Sequence, residues 1–131
     1  MPENVQMVAE AMLAALAESI NAADLDGVLA LYWLEDERVS LIQEHLARPI
    51  DAPGMERLAA GLHGPWEPEH VSFRDTRGHR LGPDTAYVTT MQRWNAHWTR
   101  VTLILLKKGD EWGILHSHFS TAPADDSALA E

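Results

Sequence analysis

Residues 85–120 read TAYVTTMQRWNAHWTRVTLILLKKGDEWGILHSHFS. Val101-Thr102-Leu103-Ile104-Leu105-Leu106 is β-branched and apolar. Lys107-Lys108-Gly109-Asp110-Glu111 breaks that run with polar residues and a glycine, and is short enough for a hairpin. Trp112 to Phe119 reads as the return strand, and Ala86 to Trp94, turned at Asn95-Ala96, as the strand before. Strands joined by loops this short are antiparallel. Alternation puts Trp112, Ile114, His116 and His118 on one face of the return strand, and Gly113, Leu115, Ser117 and Phe119 on the other. Neither face is fully polar. Such a sheet needs helices on one side and another protein surface on the other.

Working back to the N-terminus, Asn4 caps a predicted helix from Val5 to about Ala22, with Val8, Met12, Ala15, Leu16 and Ile20 as its apolar stripe. Asp24 caps a second, in which Leu25, Val28, Leu29, Tyr32 and Trp33 recur at helical spacing, and Glu35-Asp36-Glu37-Arg38 ends it. Val39 to Gln43 reads as a short strand with a possible return over Ala47 to Ile50. A third helix opens at Asp51 or Ala52, with Pro53 in its first turn and Met55, Leu58 and Leu62 apolar. Gly61 to Pro68 is a loop by its Gly and Pro content. A further strand starts at His70 and turns at Gly82-Pro83-Asp84. The expected fold is therefore α+β: a cone-shaped, strongly bent antiparallel sheet covered by three N-terminal helices. One domain spans 1–131, with an ordered core over 3–121 and a frayed tail over 122–131. The mouth of a cone is a natural small-molecule pocket.

The chain has 131 residues, enough for its own core. Its 20 acidic residues against 10 Lys plus Arg give a formal net charge of −10. That argues against nucleic acid and anionic membrane as partners, since phosphate binding needs a basic footprint. Cys is absent, which excludes disulfides and thiolate metal sites. There is no signal-peptide pattern and no apolar run of about 18 residues. A soluble cytoplasmic protein is expected. No phosphate-binding Gly-rich loop, nucleophile elbow or dinucleotide fingerprint occurs, so no cofactor is predicted.

Asn21-Ala22-Ala23-Asp24-Leu25-Asp26-Gly27-Val28-Leu29-Ala30-Leu31-Tyr32 resembles the opening segment of the nuclear-transport-factor-2-like superfamily, especially ketosteroid isomerases and SnoaL-like proteins. Trp112 through His116-Ser117-His118-Phe119-Ser120-Thr121-Ala122-Pro123, with Ala86-Tyr87-Val88 through Gln92, resembles the association domain of calcium/calmodulin-dependent kinase and its stand-alone bacterial relatives. The resemblance implies a cone-shaped, cystatin-like α+β fold and homodimers through the outer sheet face. Its functions vary too widely for fold to settle activity. Carried over position by position, the ketosteroid isomerase tyrosine falls near Leu16, the carboxylate base at Ser40 or Leu41, and the second acid near Leu103. None of these side chains supplies that chemistry. The last-strand carboxylate of limonene epoxide hydrolase-like proteins falls near Ser117. The arginines of the kinase domain fall near Thr89, Leu103 and Phe119.

In that register Thr89, Met91, Arg93, Leu103, Leu105, Leu115, Ser117 and Phe119 face a mainly apolar cavity. Tyr32 and Trp33 close one wall, and Leu41 adds to the lining. The alternative is that these residues simply fill a core. His116 and His118 are one strand repeat apart and could share a metal if His97 or His79 supplied a third ligand. The resemblance instead puts them on the outer face, as an interface or hydrogen-bonded pair, and no metal is predicted. His116, His118 and His45 are the candidates for a catalytic base. Glu35, Asp36 and Glu37 read as a solvated loop. Trp94, Trp98 and Trp112 suit a subunit interface or a stacked ligand. The expected function is a homodimeric domain binding a small hydrophobic molecule. The alternatives are a cofactor-free isomerase, cyclase or dehydratase of the SnoaL-like kind, and an oligomerisation module.

Overall fold

Asn4 opens the first helix by accepting a hydrogen bond from the Met7 N–H, leaving Val5–Asn21 as α1. The structure, a computed structural model, describes residues 3–43, 46, 48–61, 70–94 and 97–122. The expected turns at His45 and Asn95-Ala96, Ala47, residues 62–68 of the expected loop, and the tail beyond Ala122 lie outside those residues. α2 covers Leu25–Leu29, β1 Ser40–Gln43 and α3 Ala52–Gly61; β2 is Val71–Gly82, β3 Thr85–Trp94, β4 His97–Lys108 and β5 Glu111–Thr121. The fold is α+β, with N-terminal helices on a curved open sheet of five strands ordered β1-β5-β4-β3-β2. β2 to β5 pair antiparallel as expected. β1 joins the far edge parallel to β5, with Leu41 opposite Ser117. The possible return strand is reduced to one bridge, Leu41 with Ile50. Among the described residues no helix is long and apolar enough to cross a membrane.

α1 buries Val5, Ala9, Met12, Leu13 and Leu16. Met12 and Leu16 belong to the expected stripe, while Val8, Ala15 and Ile20 flank it half-buried. Leu13 and Leu16 are each 2 % exposed, so each adds on the order of 2 kcal/mol of burial. The helix crosses β2 at Gly78, where a Cβ would stand 2.9 Å from the Ala9 Cβ and from the Val5 carbonyl oxygen.

Two side-chain amides fasten α1 to β2. Gln6 Nε2 donates to the Thr76 carbonyl (2.8 Å), and its Oε1 accepts from the Gly78 N–H (2.8 Å). At the other end, Asn21 Nδ2 donates to the Val71 carbonyl (3.0 Å) and Oδ1 accepts from the Val71 N–H (2.7 Å). Each amide pairs with the strand as a neighbouring backbone would, so the helix occupies hydrogen-bonding positions on β2.

The second helix is shorter than its apolar spacing predicts. It stops after one turn and a half, and Leu31 to Trp33 turns into the sheet. The Ile114 N–H donates to the Leu31 carbonyl (2.8 Å) and the Trp33 N–H to the Ile114 carbonyl (3.0 Å). Gly27 weakens the helix, and the free sheet edge offers the same backbone better partners. Tyr32 consequently points into the core. Trp33, one residue on, lies against Gly113, with its Nε1 donating to the Leu106 carbonyl (2.7 Å) and Lys108 Nζ 4.9 Å from its ring centroid. The acidic run that follows is not simply solvated. Asp36 pairs with Arg38 and Lys108, and the hydrogen bonds from Arg38 hold its carboxyl well below the usual carboxylate range.

Candidate functional site

Strand register arranges the helix-facing side of the sheet in rows. The deepest are Ala86–Leu105–Ile114–Tyr32 and Gly78–Val88–Leu103–Ser117–Leu41. Ala86, Val88, Leu103, Leu105, Ile114 and Ser117 are all 0 % exposed. The next row is Thr90–Val101–Phe119–Gln43, then comes Phe73–Gln92–Thr99–Thr121, and the outermost described row is Val71–Trp94–His97. The surface grades from apolar under α1 to amide and hydroxyl groups at the end near Val71. Among the described members, a cation stands only at Arg80, opposite Ala86 and bonded to the Glu3 and Pro83 carbonyls, and an imidazole only at His97 in the outermost row; the described rows between them hold no carboxylate, imidazole or cation.

The polar groups on this side are treated differently. Tyr32 Oη and Ser117 Oγ are 2.9 Å apart and fully enclosed, so one donates and the other accepts. Burial pushes the Tyr32 phenol up to about 12, and the Ser117 hydrogen bond only partly offsets that. Tyr32 is thus a neutral hydroxyl at neutral pH, not a base. Thr90 is 4 % exposed; its Oγ1 donates to the Arg74 carbonyl (3.0 Å) and lies 2.9 Å from Thr76 Oγ1. Gln92 is 8 % exposed, and its carboxamide makes no hydrogen bond to the described residues. Among those residues no enclosed side-chain N or O lacks a partner. The Gln92 amide is therefore not sealed in: it borders space that water reaches.

Leu103, Ser117, Phe119, Leu41 and Tyr32 lie on this inner side, as the sequence suggests. Thr89, Met91 and Arg93 do not. The buried residues of β3 are Ala86, Val88, Thr90 and Gln92, so the expected register on this strand is one residue out. Both faces of Thr85–Trp94 carry apolar residues, which leaves alternation unable to choose between them. Arg93 and Arg74 instead stand 5.9 and 4.5 Å from the Trp98 ring centroid. Trp33 does not wall the interior, since it sits beyond Gly113. Gln92 and Thr90 were missed for the same one-residue error. The available signal was a glutamine two positions from a buried threonine in a strand, an unusual place for an amide.

The face-sharing expected of Ile114 with His116 also fails. A bulge on β5, opposite Ile104 and Leu105, sets Leu105 against Ile114 and Ile104 against His116, leaving Leu115 as the extra residue. Ile114 therefore points inward and His116 and His118 outward. His116 Nδ1 is 2.6 Å from Ser40 Oγ, and burial, then the neighbouring His118, lowers its pKa. His79 stacks on Tyr87 with ring centroids 4.8 Å apart, on a strand about 14 Å from β5. His97 pairs with Trp94 at the far end of β4. Among the described residues no cluster of three His, Asp or Glu side chains could hold a metal.

A family model described as a SnoaL-like domain matches residues 9–125. No curated protein is similar enough to count as a match. Solved structures share the fold. A cystatin-like fold protein from Burkholderia xenovorans LB400 is 18% identical, with a TM-score of 0.69, 91% of this chain and 94% of that chain covered. A ketosteroid isomerase-like protein from Erwinia carotovora atroseptica SCRI1043 is 15% identical, with a TM-score of 0.70 and coverage of 92% and 99%. A protein of Streptomyces avermitilis, provisionally described as a dehydratase of the NTF2-like family, is 16% identical, with a TM-score of 0.70 and coverage of 87% and 94%. At these identities the likeness is one of fold.

Proposed function

The chain belongs to the SnoaL-like domain family, and from that premise we propose that it binds a small, mainly apolar molecule against the inner side of its sheet without acid–base catalysis. The supporting observation is the makeup of the inner rows. Apolar side chains carry the body of the surface, hydroxyl and amide groups stand at one end, and the described rows between Arg80 and His97 include no carboxylate or imidazole to act as a base. The likeness to a protein provisionally described as a dehydratase favours a second reading, a cofactor-free enzyme. That reading needs a base; His116 and His118 are turned away from the inner side, and His97 stands exposed in its outermost described row.

Native mass spectrometry of purified protein, followed by titration with the neutral apolar dye Nile red, tests the proposal. One saturable dye site per chain is expected. Phe119→Ala, which alters the inner surface without adding charge, should change its affinity. No saturable dye binding, with no retained adduct, counts against a pocket and favours a side-chain-filled oligomerisation module.

The outer side supports self-association. Tyr87, Met91, Trp98 and Ile104 are half-buried residues of that face and carry its apolar area. The proposed homodimer pairs these faces. Ile104→Lys should give monomers by light scattering; an unchanged dimer mass defeats this interface.

A further inference from the structure

We infer that Gln92 is the recognition point of the inner surface, and that the ligand presents to it a neutral group with both a hydrogen-bond acceptor and a donor, as in a carboxamide or lactam. The inference rests on the small-molecule reading and narrows its chemistry.

Gln92 sits in the row Phe73–Gln92–Thr99–Thr121, one strand repeat beyond Thr90. It is more than nine-tenths buried, yet its amide has no partner among the described residues. A glutamine amide carries two donors and a two-lone-pair acceptor. A ligand that displaces the water bordering this amide must replace its hydrogen bonds or leave it unpaired at a cost. Its polar neighbours offer no substitute. Thr90 is engaged with Thr76 and the Arg74 carbonyl, Asn21 with both backbone groups of Val71, and Ser117 with Tyr32. Gln43 and Thr99 also have no described side-chain partner but are only half-buried, so among the described inner-row side chains Gln92 is the most enclosed one with hydrogen-bonding capacity left to give.

Two further features set the ligand class. Val101 and Phe119 lie in the adjoining row, so the group that meets Gln92 is attached to an apolar body. The row of Gln92 and the adjoining row of Val101 and Phe119 hold no charged side chain among the described residues, so an ionised headgroup seated on them would be desolvated with no counter-charge in either row. A neutral amide edge matches the Gln92 amide donor to acceptor and acceptor to donor in one planar contact. Anions and ammonium groups do not.

The test compares benzamide, toluene and benzoate, and the corresponding naphthalene compounds, by ligand-observed NMR titration. The wild-type protein should bind the carboxamide about tenfold more tightly than the matched hydrocarbon, because the hydrocarbon leaves Gln92 unpaired. Benzoate should bind more weakly than benzamide. Gln92→Leu, similar in volume but without the amide, should erase the carboxamide preference while leaving hydrocarbon binding unchanged or tighter. Gln92→Met serves if the leucine variant fails to fold, as judged by its thermal transition. Hydrocarbon binding with no carboxamide preference overturns the inference and leaves the pocket standing. So does a preference that survives both substitutions, or benzoate binding best. Failure of every compound to bind wild-type protein overturns both.

Discussion

Replacing Tyr32 by Phe and Ser117 by Ala, singly and together, measures what the enclosed hydroxyl pair does. Ser117→Ala leaves the Tyr32 phenol without its 2.9 Å partner at a fully buried position. The lost bond and the stranded hydroxyl together should cost about 2–3 kcal/mol. Tyr32→Phe should cost less, about 1–2 kcal/mol, because a serine hydroxyl can rotate toward a nearby carbonyl. Removing both strands nothing. The double variant should therefore be more stable than the sum of the single losses predicts, by about 1–2 kcal/mol. Urea unfolding followed by tryptophan fluorescence gives these values, provided the m-values agree among the four proteins. Additive losses would refute the argument, since they would mean that neither hydroxyl depends on the other. The same variants bear on the proposed binding site. A sealed pair is out of a ligand's reach, so Tyr32→Phe should lower stability while leaving the affinity for Nile red unchanged.

Three other outcomes follow from the structure. Asn21→Leu removes both hydrogen bonds to Val71, whose side of the strand is 4 % exposed, and should cost about 2–4 kcal/mol in the same urea assay; a change below about 0.5 kcal/mol would defeat the clamp. Tyr32 ionises near 10 when unfolded but at about 12 in the fold, so its contribution is intact below pH 10 and disappears as pH rises to about 12. Tyr32→Phe should lose this alkaline component, on the order of 2–3 kcal/mol, and an unchanged alkaline profile would contradict the burial argument. His116 has its pKa lowered, so the unfolded chain takes up the proton first and stability falls as pH drops below 6.5. Its imidazole should titrate below 6.5 by NMR, and His118→Gln should move the midpoint up only partway, because burial is the larger cause; a wild-type midpoint at or above 6.5 contradicts this.

The chain's β-rich half was open to reading because its breakers are chemical. Gly109, at φ 62, and Pro83-Asp84 mark turns wherever the chain folds. Three things were not. The bulge at Leu115 leaves no compositional trace, since every residue around it suits a strand, yet it reverses the facing of Trp112 and Ile114 relative to His116. The face of β3 was ambiguous because Tyr87 and Met91 are as apolar as Ala86 and Val88. The end of α2 was set by a distant partner: the backbone of Ile114 captures Leu31 and Trp33, a pairing that helical spacing cannot reveal. Leu103, Leu105, Ser117 and Phe119 stayed on the inner side because their neighbours fix the facing, whereas the inner-facing candidate Leu115 became the extra residue of the bulge. Gln92 did not, because its importance lies in a missing partner.

The side-chain amides of Gln6 and Asn21 have a consequence for how the molecule fails. They make the first helix the selvage of the fabric: while it is sewn down, β2 offers a second molecule no raw margin at Val71, Thr76 and Gly78. Once it lifts, a greasy trough and open peptide groups come into view together, long before the remaining strands separate. Heat-driven clumping of this protein should therefore keep time with the departure of one helix, not with melting of the whole.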